Sequence, residues 1–204
     1  VHDRLARFLG ASIDGTIAYH YADVVKLAGH SCPTVAGSFL LARRALRALY
    51  ADALPERGEL RVRFQRAQVD GTTGVVAAVV GMITGAAGDG GFQGIGGRFR
   101  RRDLLSFGEP EQMEEVAFSR IDTGQSVIGS IHLEHVPADP RTRPMLQRLL
   151  AGDPDPQLAD DFAQLWQERV RRILVDHAEQ AELIQLTFSN ATGRTVSAAP
   201  TIPT

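Results

Sequence analysis

His30 and Cys32, in the segment Gly29-His30-Ser31-Cys32-Pro33, are the side chains best suited to chemistry in this chain. Imidazole and thiolate both ligate transition metals, and a thiolate also attacks electrophiles. Their neighbours hold them in a tight corner. Gly29 suits the end of one helix, and Pro33, which has no N–H to lose, suits the first turn of the next. Backbone N–H groups and the positive end of the dipole gather at a helix start and favour an anionic side chain there. His20, on the preceding helix, can fold over as a third ligand. Three N/S ligands with a fourth position open make a catalytic or exchangeable zinc site rather than a closed structural one. A plainer role competes: Cys32 as a small buried hydrophobe and His30 as a hydrogen bonder between two helices.

Other candidates carry less. His132 and His135 fall on a predicted strand, where an odd spacing sends them to opposite faces and away from a shared metal. His177 continues the apolar stripe of a long helix near its C-terminus, where an imidazolium suits the dipole. Seven glycines stand in residues 85–97, with no Gly-Lys-Ser/Thr phosphate loop and no dinucleotide fingerprint. That segment reads as a mobile hairpin or crossover, able to bring backbone amides to an anion beside Arg98. A cysteine nucleophile would take His30 or His20 as its base, with Asp23 or Asp70 available to orient it.

The elements that must position these groups follow from periodicity. Residues 14–28 place Ile17, Ala18, Tyr21, Val24, Val25 and Ala28 on one helical stripe, with Asp14 as the expected cap and Gly29 as the stop. A second helix starts at Ser31 or Cys32 and runs to Tyr50, apolar nearly all round in its first half. Glu59–Gln65 alternates as a half-buried strand, and Val75–Ile83, a β-branched run between glycines, reads as a central strand. Strands are expected near Val116–Arg120, Ser126–Val136 and Leu183–Phe188, and a long helix from Pro156 to about His177. Helices and strands without regular alternation predict an α+β fold in a single domain. Residues 1–190 form that domain, and 191–204 a loose tail.

Composition excludes several classes. Hydrophobic residues make up 44% and charged residues 23%, the balance of a globular chain. The net charge of −2 gives no electrostatic basis for wrapping nucleic acid or an acidic membrane. No apolar run is long enough to span a bilayer. Val1-His2-Asp3-Arg4 does not read as a signal peptide. One cysteine excludes an intrachain disulfide and fits a reducing cytoplasm.

The run from His20 through Gly29-His30-Ser31-Cys32-Pro33 to Gly37 resembles the E-like family of formylmethanofuran dehydrogenase subunits, marked by a His-Gly-His-x-Cys-Pro-Gly segment before a helix. Asp70-Gly71, Ile83-Thr84-Gly85-Ala86-Ala87-Gly88 and Gly97-Arg98-Phe99 extend the likeness over about residues 14–190. The resemblance implies a compact α+β domain with a mixed, mainly antiparallel sheet packed against helices. It also implies a homodimer and a divalent metal, commonly zinc, held by the His/Cys motif. This sequence departs at two possible ligand positions. The family's first motif histidine falls on Ala28, and the cysteine of its Thr-Gly-Cys-Thr segment falls on Ala86. His20 is the natural replacement, which makes the expected ligand set His20, His30 and Cys32. No molybdopterin or iron–sulfur signature accompanies the motif.

Three functions compete on these residues. One is a zinc-binding accessory or metal-handling protein. Another is a metal-dependent enzyme on a small-molecule ligand, assisted by Lys26, Thr34 or Asp70. A homodimer built partly by residues 85–97 would carry Phe92 to the partner's metal corner to wall its open position, and Phe92 and Arg98 are further candidates for supporting the ligands or touching the substrate. The third is haem binding with Cys32 or His30 as axial ligand.

Overall fold

The computed structural model describes residues 1–108, 116–189 and 195–196. A six-stranded sheet carries the fold, in the order β2-β1-β3-β4-β5-β6. Its strands are β1 (Leu60–Phe64), β2 (Leu105–Ser106), β3 (Val116–Arg120), β4 (Ser126–Ile131), β5 (Ile184–Ser189) and β6 (Thr195–Val196). Among the described strands the β1·β2 pair is parallel and the other pairings are antiparallel. The fold is therefore α+β with a mixed, mainly antiparallel sheet. Along β1, Leu60, Val62 and Phe64 are buried while Arg61 and Arg63 are exposed. That alternation marks a sheet with one face on the core.

The helices are α1 (Arg4–Phe8), α2 (Tyr21–Ala28), α3 (Pro33–Tyr50), α4 (Thr73–Thr84), α5 (Thr142–Leu150) and α6 (Pro156–Arg171). Helix α3 is the central one. Cys32 is its N-cap and Pro33 its first residue, and Val35, Ala36, Leu40, Leu41, Ala42 and Ala45 have no exposed surface. Two glycines let it approach the sheet. A Cβ on Gly37 would stand 2.7 Å from Ile131 Cγ2, and one on Gly129 of β4 would stand 2.4 Å from Leu41 Cδ1.

Three expected elements are corrected. Val75–Ile83 is the body of α4 rather than a central strand. Its apolar residues suit either state, and burial against α3 decides for the helix, which Gly85 closes at φ +76°. Residues 14–20 are not helical. Asp14 accepts the Thr16 N–H in a turn, and α2 starts only after His20, whose N–H donates to Asp23 Oδ2 at 3.0 Å. Strand β4 stops at Ile131, and Leu133–His135 forms a short 3-10 turn. The long helix also changes pitch at Arg172, continuing to Asp176 as a wider π turn. The expected loose stretch after Val196 lies outside the described residues.

The N-terminal segment is pinned by an ionic knot. Asp3 is 2% exposed and accepts the Leu5 and Ala6 N–H groups as the cap of α1. It also pairs with Arg57 Nη1 at 2.8 Å and Arg101 Nη2 at 2.7 Å. Burial pushes this carboxyl up. The Arg57 hydrogen bond, the Ala6 N–H and the Arg101 charge outweigh burial and hold it below the usual carboxylate range.

Candidate functional site

Gly29 adopts φ +73°, a left-handed conformation that ends α2 and turns the chain toward α3 within a few residues. His30 lies in that turn and is exposed. Its Nδ1 is 2.9 Å from the Ala28 carbonyl oxygen. A carbonyl only accepts, so Nδ1 carries the proton and, in neutral imidazole, Nε2 presents its lone pair outward. Cys32 Sγ accepts the Val35 N–H at 3.4 Å, a thiol in the place where Ser or Asp commonly caps a helix.

Ser31, between them, is clamped from two directions. Its carbonyl accepts from Trp166 Nε1 and Gln167 Nε2 of α6, both at 3.1 Å. Its hydroxyl donates to Gln167 Oε1 at 3.0 Å and accepts from the Tyr21 hydroxyl at 2.9 Å. Ser31 has one proton to give, so the order of donation is fixed. Burial pushes the Tyr21 phenol up and keeps it a neutral donor. The His30-x-Cys32 backbone is thereby locked by side chains from α2 and α6.

Of the remaining candidates, Thr34 lies at this corner as the second residue of α3, and the others have their interactions elsewhere. His20 caps the opposite end of α2, eight helical residues away, with its side chain 76% exposed beside Asp23. At about 1.5 Å rise per residue the intervening helix is about 12 Å long. Lys26 pairs with Asp23 at 3.5 Å, and the Asp70 carboxylate accepts the Ala67 N–H. The Thr34 carbonyl accepts the Ser38 hydroxyl within α3. Phe92 is 42% exposed in the glycine-rich segment, and Arg98 lies over the Phe99 ring of the same segment. Among the described residues no group of three or more His, Cys, Asp or Glu side chains is placed to hold one metal ion. The donor chemistry of His30 and Cys32 fits a metal, and that of His20 does not extend the same site.

A serine–histidine–carboxylate relay was not foreseen. His132 Nδ1 is 3.0 Å from Glu134 Oε1, and its Nε2 is 2.8 Å from Ser130 Oγ. The Glu134 carboxyl is held below its usual range, by backbone hydrogen bonding and by His132, so it accepts from Nδ1. Ser130 is 6% exposed and paired with Gln185 inside the sheet, which withholds it from a substrate. The relay pins the turn after β4. Both nitrogens of His132 are occupied, so it is no free ligand. Its ring meets His135 edge-on at 6.2 Å, which corrects the expectation of opposite strand faces. The alternation of Ser130, His132 and Glu134 was visible in the sequence, but its meaning depends on where β4 ends.

Comparison with known proteins finds no family model and no curated protein that matches this chain.

Proposed function

We propose that this chain binds a divalent transition metal, zinc foremost, through His30 and Cys32 at the α2–α3 corner, in an accessory or metal-handling role. The observation that carries the reading is the state of His30, whose Nδ1–H is spent on the Ala28 carbonyl. Ligating histidines are commonly held in this way, with one nitrogen fixed by an acceptor and the other left for the metal. The clamp on Ser31 supports the same reading, because it holds both donors with little freedom to lose on binding. Two donors leave the remaining positions to solvent, a small molecule or a second chain, which suits exchange better than permanent storage. The resemblance of the motif to the E-like formylmethanofuran dehydrogenase family points the same way, and a lone thiol suits a reducing cytoplasm.

The test is elemental analysis after purification without chelators and loading with zinc. Cys32→Ala and His30→Ala should each hold well under half the metal of the parent, and His20→Ala should hold as much as the parent. Equal zinc in all four proteins would sink the assignment. A strong Soret absorption in the purified protein would replace zinc with haem.

We further propose that two copies pair through the surface formed by α1 and the glycine-rich segment. Phe8, Leu9, Phe92 and Ile95 are 58%, 60%, 42% and 40% exposed there. The Phe8 ring packs at a tilt against Phe99, centroids 5.1 Å apart, joining the two segments into one face. No helix among the described residues is long and apolar enough to cross a membrane.

A further inference from the structure

The hairpin of α5 and α6 is lightly committed to the core. Helix α3 buries twelve residues, whereas α6 buries Leu158 and Val170 and α5 buries Thr142. Elements that bury so little open locally, at a fraction of the cost of global unfolding. Polar contacts therefore weigh heavily in how the hairpin docks. Arg169 donates to the Leu133 and Val136 carbonyls, and Arg172, just past α6, donates to the Pro137 carbonyl. A further tether is different in kind, because Trp166 and Gln167 end on Ser31, the residue between the two proposed metal ligands. Of the four hydrogen bonds on Ser31, α6 supplies three and Tyr21 of α2 the fourth.

We infer that the α5–α6 hairpin and the His30/Cys32 corner are one coupled unit, with Trp166 and Gln167 as positioning residues that act through Ser31. The inference rests on the metal reading above. With the hairpin docked, the Ser31 carbonyl and hydroxyl are both held, so the residues on either side of Ser31 are ordered before a metal arrives. With the hairpin lifted, Ser31 keeps only Tyr21, and the metal must order the segment itself. Fixing the backbone of one residue in this way weakens binding about tenfold. Linkage makes the effect reciprocal: a metal on the corner favours the docked hairpin by the same factor. Lifting would also bare the Trp166 ring and Val170, which is 3% exposed when docked. A metal-handling protein built this way carries an apolar surface whose exposure depends on whether the corner is loaded.

Hydrogen exchange of the intact protein, with and without zinc, tests the coupling, while competition with a chromophoric chelator measures zinc affinity separately. Zinc should slow exchange across residues 142–171 by about threefold more than across β3. Gln167→Ala should weaken zinc about tenfold and abolish that extra protection. Trp166→Phe, which keeps a ring and loses the Nε1 donor, should act in the same direction by about threefold. Gln164→Ala, exposed on the same helix, should match the parent in both measurements. Gln167 is also exposed, so its variant should fold as the parent does, which circular dichroism confirms. A merely structural Gln167 would speed exchange in α6 equally with and without zinc and leave the affinity unchanged, and that result would overturn the coupling. So would bound zinc that gives α5 and α6 no extra protection, an outcome that leaves the metal assignment standing. No zinc binding by the parent overturns both.

Discussion

Asp3 shows how much one side chain can carry. It caps α1, answers two arginines and is almost wholly buried. Removing its charge would leave Arg101, itself 7% exposed, without its partner. Asp3→Asn should therefore cost about 3–5 kcal/mol in urea unfolding at neutral pH, the range for breaking a buried pair. The sign with pH follows from the depressed carboxyl. Its contribution is complete above the ordinary carboxylate range and is lost as pH falls through the lowered folded value. The stability gap between parent and variant should accordingly narrow in acid, and a constant gap from pH 7 to pH 3 would refute this account. At the same scale, the His30/Cys32 corner was legible because Gly29, the x-spacing and Pro33 are local signals. The clamps on Ser31 were not, since Trp166 and Gln167 lie about 135 residues further along the chain. The Asp3 knot was hidden for the same reason, its partners being 54 and 98 residues away.

At the scale of elements, α3 was readable almost to the residue, because a proline start, a long apolar stripe and a wet second half all agree. Helix α4 was not. Val75–Ile83 is apolar on every side, so periodicity cannot separate a buried helix from a buried strand, and β-branched content tips the reading the wrong way. Packing against α3 settles it, and packing is a property of the pair. The same pairwise logic governs the glycines at the α3–sheet contact. Gly37→Val places a branched side chain where a Cβ alone already meets Ile131 Cγ2 at 2.7 Å. We expect a loss of about 1–3 kcal/mol by overpacking, measured by thermal or urea unfolding. Gly90→Ala is the matched control, with nothing within 4 Å of the new Cβ and no left-handed backbone. It should be neutral or stabilising by up to about 1 kcal/mol through the unfolded chain. Equal losses at the two positions would mean that the approach of α3 to the sheet is not limiting.

For the whole molecule, the glycine-rich segment is tied to the body more firmly than its composition suggested. The Arg101 and Arg102 N–H groups both donate to the Phe92 carbonyl, the Asp103 N–H to Gly88, and the Leu104 N–H to Ala87. Arg101 then reaches the Asp3 knot, so the loop is anchored at its base while Phe92 and Ile95 remain outside. Excising residues 88–95 would remove those anchors and confuse folding with assembly. Point changes on the exposed face separate the two. If two copies pair here, light scattering on the parent should return twice the chain mass. Phe8→Ser combined with Phe92→Ser should shift it toward one chain mass at micromolar concentration, because each change removes apolar surface that pairing would bury. Phe8 and Phe92 are 58% and 42% exposed in the single chain, so each change should cost the monomer no more than about 1 kcal/mol in urea unfolding. A parent that scatters as one chain ends the pairing proposal. A double variant that stays dimeric moves the interface elsewhere, and the exposed outer face of the sheet, with Arg61 and Arg63, becomes the next surface to alter.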